Sequence, residues 1–442
     1  MSEKIYGIDL GTTNSLIGLH STGFLSEIVP SCVNMNTGRA GSEYVEDMSS
    51  KRSFKVDMSM GIEGITPRQA SKCVLEELCR KVKDDKVENV VISVPAYFSD
   101  SQRSATITAA TLAGLEVKGL VNEPTAAAMY IAQNKKGLFV VYDLGGGTFD
   151  VSIIDSRFGS YDVQATTGVV IGGDNFDEML MKHFIKEGRI PIHKMPKEAY
   201  IGIKHLASKV KIRLQHSRMP VKVDLHKWGG GDIELTPETY CQIMRMTFSE
   251  TITQTQLLIN KYIPDSEVYD ILLVGGSTHC PYLREWITEV TGKAPAPLTY
   301  DPDRVVALGA ALYADILSRG AIDEQVSDVT KALSIGLYDG TVSNIIPANS
   351  KIPLTAEKIF SNPVQATSLI LDLYQGESMF IKDNEHIGQL IWEYDCVKGV
   401  QEGQVIVNIA IDNSGVITFS AHELLKPPKS ITLKRDSIGK VD

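Results

Sequence analysis

The sequence predicts an α/β protein as far as about residue 320 and an antiparallel β unit after it. Three observations carry this. Short apolar runs alternate with helical stretches up to Ser318. Each apolar run ends in a glycine-rich or aspartate-bearing turn. Beyond about residue 330 helical periodicity disappears, and short alternating segments broken by Gly, Asn, Asp and Pro take over.

The runs are IYGIDLGTTNSLIGLH, VVISVPAYF, LFVVYDLGGGTFDVSIID, YDVQATTGVVIGGDNFD and YDILLVGGSTHCP. Their Ile/Val/Leu-rich stretches of about 4–6 residues read as buried strands. Helices are expected at Thr66–Val82, Ser101–Ala113, Pro124–Ala132 and Pro302–Ser318. Pro67 suits the first helical position, where a missing N–H costs nothing. In the C-terminal part SNIIP, SLILDLYQGE, QVIVNIAIDNSGVITFSA and KSITLKR read as strands. The boundary falls in the polar, acidic stretch Ser318–Lys331.

A chain of 442 residues has room for several domains, each with its own core. The net charge of -10 argues against broad binding to nucleic acid or anionic membrane. Lys434, Arg435 and Lys440 make the C-terminal residues mildly basic, which reads as a solvated strand end. The cysteines Cys32, Cys73, Cys79, Cys241, Cys280 and Cys396 are scattered without a C-x-x-C pair. Neither a zinc site nor a disulfide framework is expected. No apolar run approaches the ~20 residues that span a bilayer, and the N-terminus runs straight into a strand with no signal segment. A cytoplasmic protein is the expectation.

One internal echo stands out chemically. Asp9-Leu10-Gly11-Thr12-Thr13-Asn14 and Asp143-Leu144-Gly145-Gly146-Gly147-Thr148 each join two apolar strands. Glycine lets backbone N–H groups approach a ligand without a Cβ in the way, and threonine adds hydroxyl donors. One such turn alone reads as a strand connection. Two matched copies read as a grip on a polyphosphate from both sides. Asp9, Asp143 and Asp150 would then cluster beside it, a grouping that a cation such as Mg²⁺ makes tolerable. Gly172-Gly173-Asp174 and Gly275-Gly276-Ser277 also follow apolar strands and could bracket a nucleoside. No Walker A loop and no G-x-G-x-x-G occurs.

DLGTTNS, VISVPAYFSD, NEPTAAA, YDLGGGTFD, IGGDNFD, LLVGGST and YDPDRVVALGAA occur in that order. In this the chain resembles the seventy-kilodalton heat-shock (DnaK-type) chaperones over nearly its whole length. The serine-rich VISVPAYFSD and the compact early region look most like the divergent bacterial HscC-type branch. The resemblance implies a two-lobed, actin-like ATPase domain over 1–320, a linker over 321–331 and a β-sandwich peptide-binding domain over 332–442. It implies ATP and ADP as ligands, Mg²⁺ held by Asp9 and Asp143 mainly through water, and K⁺ as a further cation. Lys55 in SFKVDMSMG matches the lysine that positions the attacking water, with Lys51 as the alternative. Thr148 would face the γ-phosphate, and Asp143, Asp150, Glu123 and Asp9 would order water and cations. The nucleotide contacts implied are Gly11, Thr12, Thr13, Asn14, Gly145, Gly146, Gly147, Gly172, Gly173, Asp174, Lys211, Gln215, Gly275, Gly276, Ser277, His279 and Asp303. Pro95 and Arg103 match the family's proline switch and arginine relay. Leu337, Phe360 and Leu369 match its peptide cleft. Hydrophobic peptide segments and a J-domain co-chaperone are the implied partners.

The chain departs from the family's pattern in several places. The stretches on either side of Lys55 are short, so the peripheral part of the first lobe is expected to be pared down. Asp323–Thr330 lacks the family's apolar linker run, which weakens the expected coupling between ATPase and peptide. The sequence ends at Asp442 with no helical lid, and Pro363 stands where the family has a smaller residue, so fast peptide exchange is expected. An ATP-binding regulator or scaffold with one specific partner and little hydrolysis is therefore the competing reading. Ser208 replaces the ribose-contacting glutamate, Gln215 a serine and His279 an arginine. A serine accepts a ribose hydroxyl less strongly than a carboxylate does. Calorimetric titration should show ATP affinity below that of a typical family member, and nanomolar binding would contradict this.

Overall fold

The computed structural model describes residues 3–433 apart from 46–49, 58–65, 84, 97, 134, 192–195, 217–218, 321–325, 362–367, 394–403, 413–414 and 424–430. Pro363, Cys396 and the basic C-terminal residues Lys434, Arg435 and Lys440 lie outside the described residues.

Two six-stranded sheets share one plan. In the first, Ile5–Leu10 pairs antiparallel with Asn14–Leu19 and parallel with Asn89–Val94. In the second, Leu138–Leu144 pairs antiparallel with Phe149–Asp155 and parallel with Tyr269–Val274. The D-L-G echo in the sequence is thus the same strand–turn–strand element built twice. Phe24–Leu25 and Glu116–Asn122 extend the first sheet, and Tyr161–Val169 extends the second.

Among the described residues eight α-helices surround the sheets: α1 (Pro67–Lys81), α2 (Asp100–Leu112), α3 (Glu123–Ile131), α4 (Gly173–Glu187), α5 (Lys197–His216), α6 (Pro237–Tyr262), α7 (Leu283–Thr291) and α8 (Val305–Ser318). The four helices expected from the sequence are α1, α2, α3 and α8. Thr66 starts α1 with a capping box, its hydroxyl accepting from Gln69 N while Gln69 Oε1 accepts from Thr66 N. The last helix begins at Val305, later than Pro302, because Asp301 Oδ1 accepts from Asp303 N and holds a turn there.

α1 and α2 share a core with the first sheet, and α4, α5, α6 and α7 share one with the second. A third core lies between the sheets. Ile5, Val91 and Val121 meet Phe139, Val141 and Val274 through α3 and α8. The spacing there is set by absent side chains. A Cβ on Gly309 would lie 1.8 Å from the Ala126 carbonyl oxygen, and one on Gly7 2.1 Å from Ala311 N. The alanine runs of NEPTAAA and ALGAALYA are what allow α3, α8 and the strand Ile5–Leu10 to touch backbone to backbone.

The C-terminal part is all β apart from one short 3₁₀ turn, among the described residues. Two four-stranded sheets share one core of Leu333, Ile335, Leu371, Leu373, Val405, Val407, Ile409 and Phe419, among others. The stretch expected to be a linker is not a free tether where it is described. Val326–Thr330 adds parallel to Tyr161–Val169, Tyr161 facing Val326 and Asp162 facing Ser327. Its other edge pairs antiparallel with Ser350–Ile352. Strand addition uses backbone N–H and C=O groups, which every non-proline residue carries, so the missing apolar run does not prevent docking. Lys351 Nζ on Asp162 and Asn349 on Tyr262 Oη and Thr166 N join the C-terminal part to the second sheet as well.

Gly309→Ala would improve intrinsic helix propensity by about 1 kcal/mol, yet its methyl has no room against Ala126. The expected outcome is a net loss of about 1–3 kcal/mol in chemical denaturation of the chain. A stabilised variant would show that the helices can separate.

Candidate functional site

The two echoed turns meet face to face. A Cβ on Gly146 would lie 1.7 Å from Thr13 Oγ1, so only glycine lets the second turn close against the first. Gly172 approaches as tightly, 2.6 Å from Gly146 and Gly147 backbone atoms by the same measure. Gly173 N and Asp174 N donate to the Gly145 and Gly146 carbonyls at 3.0 and 2.7 Å. Ser277 Oγ donates to Gly145 O at 2.8 Å, and Gly275 N to Pro302 O at 3.0 Å. Four glycine turns, three from the second sheet and one from the first, therefore line one cleft between the sheets. Gly11 and Thr12 are supported from below. Ser15 Oγ accepts from Gly11 N at 3.1 Å, and Ser31 Oγ donates to Gly11 O at 2.7 Å. Asn14 opens the returning strand opposite Pro30.

The acidic residues gather on the cleft floor. Asp143 and Asp150 face each other across the hairpin of the second sheet, both buried. Thr148 lies between them in sequence and is buried as well. Asp9 accepts from Ser93 Oγ at 2.9 Å. Burial, then the Glu123 carboxylate, pushes Asp9 up to about 7, against the pull of Lys55. Burial, then Glu123, Asp150 and Asp9, raises Asp143 well above the ordinary carboxylate range.

Lys55 is buried, with its ammonium bonded to Glu123 Oε1 and 5.6 Å from the Phe98 ring centre. Lys51, the alternative, stands half-buried in the short strand Ser50–Lys51. The cluster thus holds four carboxylates and Lys55, with Asp143 and Asp150 buried and Asp9 and Glu123 partly exposed. Negative charge is under-compensated there, and hard oxygen donors suit Mg²⁺. Among the described residues these acids do not supply three ligand atoms close enough to grip one ion.

On the nucleoside side, Lys211 Nζ lies 2.8 Å from Asp177 Oδ1 and donates to Gly173 O at 3.1 Å. Gln215 Nε2 reaches Gly276 O at 3.5 Å. Ser208 donates to Asp177, whose carboxyl is raised chiefly by burial. His279 Nε2 lies 3.1 Å from Asp303 Oδ2, with Asp301 close by. The Asp303 contact raises the imidazole's proton affinity above its usual value, in opposition to its burial.

The sequence did not point to the contacts between elements. Ser53 donates its hydroxyl to Asp174 and joins the two sides of the cleft. Ser15, Ser93 and Asp177 lie within quoted motifs, yet their partners were not legible, and Ser31 lies outside every motif. Arg103 is buried, with Nη2 donating to Asn122 Oδ1 at 2.7 Å. Pro95 ends the strand Asn89–Val94 and accepts from Phe98 N. Phe360 and Leu369 pack at the border of the C-terminal core, and Leu337 is half-buried at the turn after Leu333–Gly336. Cys32, Cys73, Cys79, Cys241 and Cys280 are free thiols. No helix among the described residues is long and apolar enough to cross a membrane.

His279 gains its partner on folding, so its folded pKa exceeds the unfolded one. The pair's stabilisation is therefore fully present below the unfolded value of about 6.5 and is lost as pH rises through the higher folded value. Proton NMR of the ring should show an elevated midpoint, which Asp303→Asn should return toward the ordinary range. An unchanged midpoint in that variant would exclude the ion pair as the cause.

A family model described as Hsp70 protein matches residues 33–438. Heat shock 70 kDa protein 6, chloroplastic, from Arabidopsis thaliana is 32% identical, with the match covering 95% of this chain and 67% of that protein. The paired hairpins, the acidic cleft floor and both likenesses lead to one conclusion: the chain belongs to the Hsp70 family.

Proposed function

We propose that the chain binds ATP with Mg²⁺ in the cleft between the two large sheets, hydrolyses it, and uses the C-terminal sheet pair to hold extended apolar peptide. Hsp70 membership sets the class, an ATP-dependent chaperone. The observation that carries the reading is the meeting of four glycine turns above an acidic floor with one buried lysine.

Bound Mg²⁺ supplies charge neutralisation at the transferred phosphoryl group. Gly11, Thr12, Thr13 and Asn14 from one side and Gly145, Gly146, Gly147 and Thr148 from the other offer N–H and hydroxyl donors to the phosphates. Asp9 and Asp143 hold the cation through water. Lys55 positions the attacking water, and Asp150 and Glu123 order water and charge around it. Such a centre works by placement and electrostatics, with no covalent intermediate required of the protein. Gly172, Gly173, Asp174, Lys211, Gln215, Gly275, Gly276, Ser277, His279 and Asp303 frame the nucleoside, and K⁺ is a further cation for the acidic floor.

The two C-terminal sheets, with one shared core, suit a sandwich that binds peptide along Leu337, Phe360 and Leu369. An extended peptide would gain main-chain hydrogen bonds there and bury an apolar side chain. Pro95 and Arg103 pass the state of one part to the other, and a J-domain co-chaperone is the natural stimulating partner. Free thiols fit a reducing compartment, the cytoplasm in this reading. The likeness to the HscC-type branch rests on the serine-rich VISVPAYFSD and the compact early region. Ser208, engaged with Asp177, favours the second reading, a weakly hydrolysing ATP-binding scaffold with one partner.

Steady-state ATP turnover should fall about a hundredfold or more in Lys55→Ala and in Thr148→Ala, since each removes a group acting on the developing charge. If both variants hydrolyse like the parent, the catalytic assignment fails.

A further inference from the structure

We propose that the cleft takes nucleoside triphosphates as a class, with little regard to the base or to the 2′-hydroxyl, and that Ile212 is its apolar shelf for the base. The inference rests on the ATP-binding reading above and narrows how that site chooses its ligand.

The nucleoside side is built from one face of α5. Ser208, Lys211, Ile212 and Gln215 recur at helical spacing and share that face. Two of them show where it points. Lys211 Nζ donates to Gly173 O at 3.1 Å, and Gln215 Nε2 reaches Gly276 O at 3.5 Å. The face therefore looks onto the glycine turns at Gly173 and Gly276.

Its polar heads are already engaged with the protein. Ser208 donates to Asp177. Lys211 is buried, and besides its bond to Gly173 O it lies 2.8 Å from Asp177 Oδ1. Asp177, on α4, thus occupies both groups. On the turn at Gly276, Ser277 Oγ donates to Gly145 O at 2.8 Å, and His279 Nε2 and Asp303 Oδ2 face each other at 3.1 Å. Ile212 differs from all of these. It is a large apolar side chain, 50% exposed in the middle of a polar face. The core of the second sheet takes Val210 and Leu214 from the same helix and leaves Ile212 out.

Discrimination depends on what a site loses when it meets the wrong ligand. A site that must pair a ligand hydroxyl strands its own polar group when the hydroxyl is missing, and it rejects that analogue by about 10⁴- to 10⁵-fold. Groups that pair within the protein lose nothing when the base edge or the 2′-hydroxyl changes. An apolar shelf gains a similar amount from any base, since every base presents a flat face. Affinity then comes chiefly from the grip on the phosphates, which is blind to the nucleoside.

The test titrates the full chain, with Mg²⁺, by calorimetry against ATP, dATP, GTP, CTP and inorganic tripolyphosphate. The Kd values for dATP, GTP and CTP should lie within about tenfold of that for ATP, the reach of a pocket without hydrogen-bonded readout. A wider gap for any of the three overturns the inference. Ile212→Ala should weaken all four nucleotides alike, by about three- to tenfold, and leave tripolyphosphate unchanged, because only the nucleoside meets the shelf. No loss, a loss confined to ATP or one shared by tripolyphosphate would remove the shelf. Ser208→Ala should shift ATP and dATP together; a loss for ATP alone would mean that Ser208 reads the 2′-hydroxyl, contrary to the proposal. If none of the four nucleotides binds, the ATP reading falls and takes this inference with it. Binding of ATP to the exclusion of the others sinks this inference and leaves that reading standing.

Discussion

One buried lysine among four carboxylates sets the terms for the rest of the structure. Burial and the neighbouring carboxylates raise the proton affinities of Asp9 and Asp143 against the pull of Lys55. A Mg²⁺ bound here would offset both these carboxylates and the phosphates of a bound nucleotide. The cluster is costly to the folded protein and useful only to a ligand that arrives with positive charge.

Holding such a cluster demands a frame that does not relax. The two large sheets supply it by contributing matched hairpins, and the core between them fixes their separation through contacts too close for a side chain. Gly309 against Ala126 and Gly7 against Ala311 bring backbones into direct contact, and Gly146 leaves room for the Thr13 side chain. Such contacts leave little slack for repacking, so the acids and the lysine stay where their repulsion would otherwise move them apart.

Much of this was legible in the sequence because it is local. The strand–turn–strand echo needs only an apolar run, an aspartate and glycine at the turn, and α1 announces itself through Pro67 near its start. Partners brought in by the fold were not legible. Ser53 meets Asp174, Ser277 meets Gly145 and Asp177 meets Lys211 across long separations, and a lone serine or aspartate carries no pattern that reveals its partner. The stretch before Lys331 was not legible as a strand: its polar side chains give no apolar run, yet it joins a sheet through its main chain.

That strand also decides where the molecule gives way under load. Val326–Thr330 meets Tyr161–Val169 over the residue pairs Tyr161–Val326 and Asp162–Ser327, and meets Ser350–Ile352 over three pairs. Pulling the C-terminal sheets away therefore breaks the shorter seam first, together with Lys351 on Asp162 and Asn349 on Thr166. The strand then departs with the C-terminal part as a ready-made edge. The fracture line runs beside Tyr161–Val169, where this strand meets the second sheet over two described residue pairs.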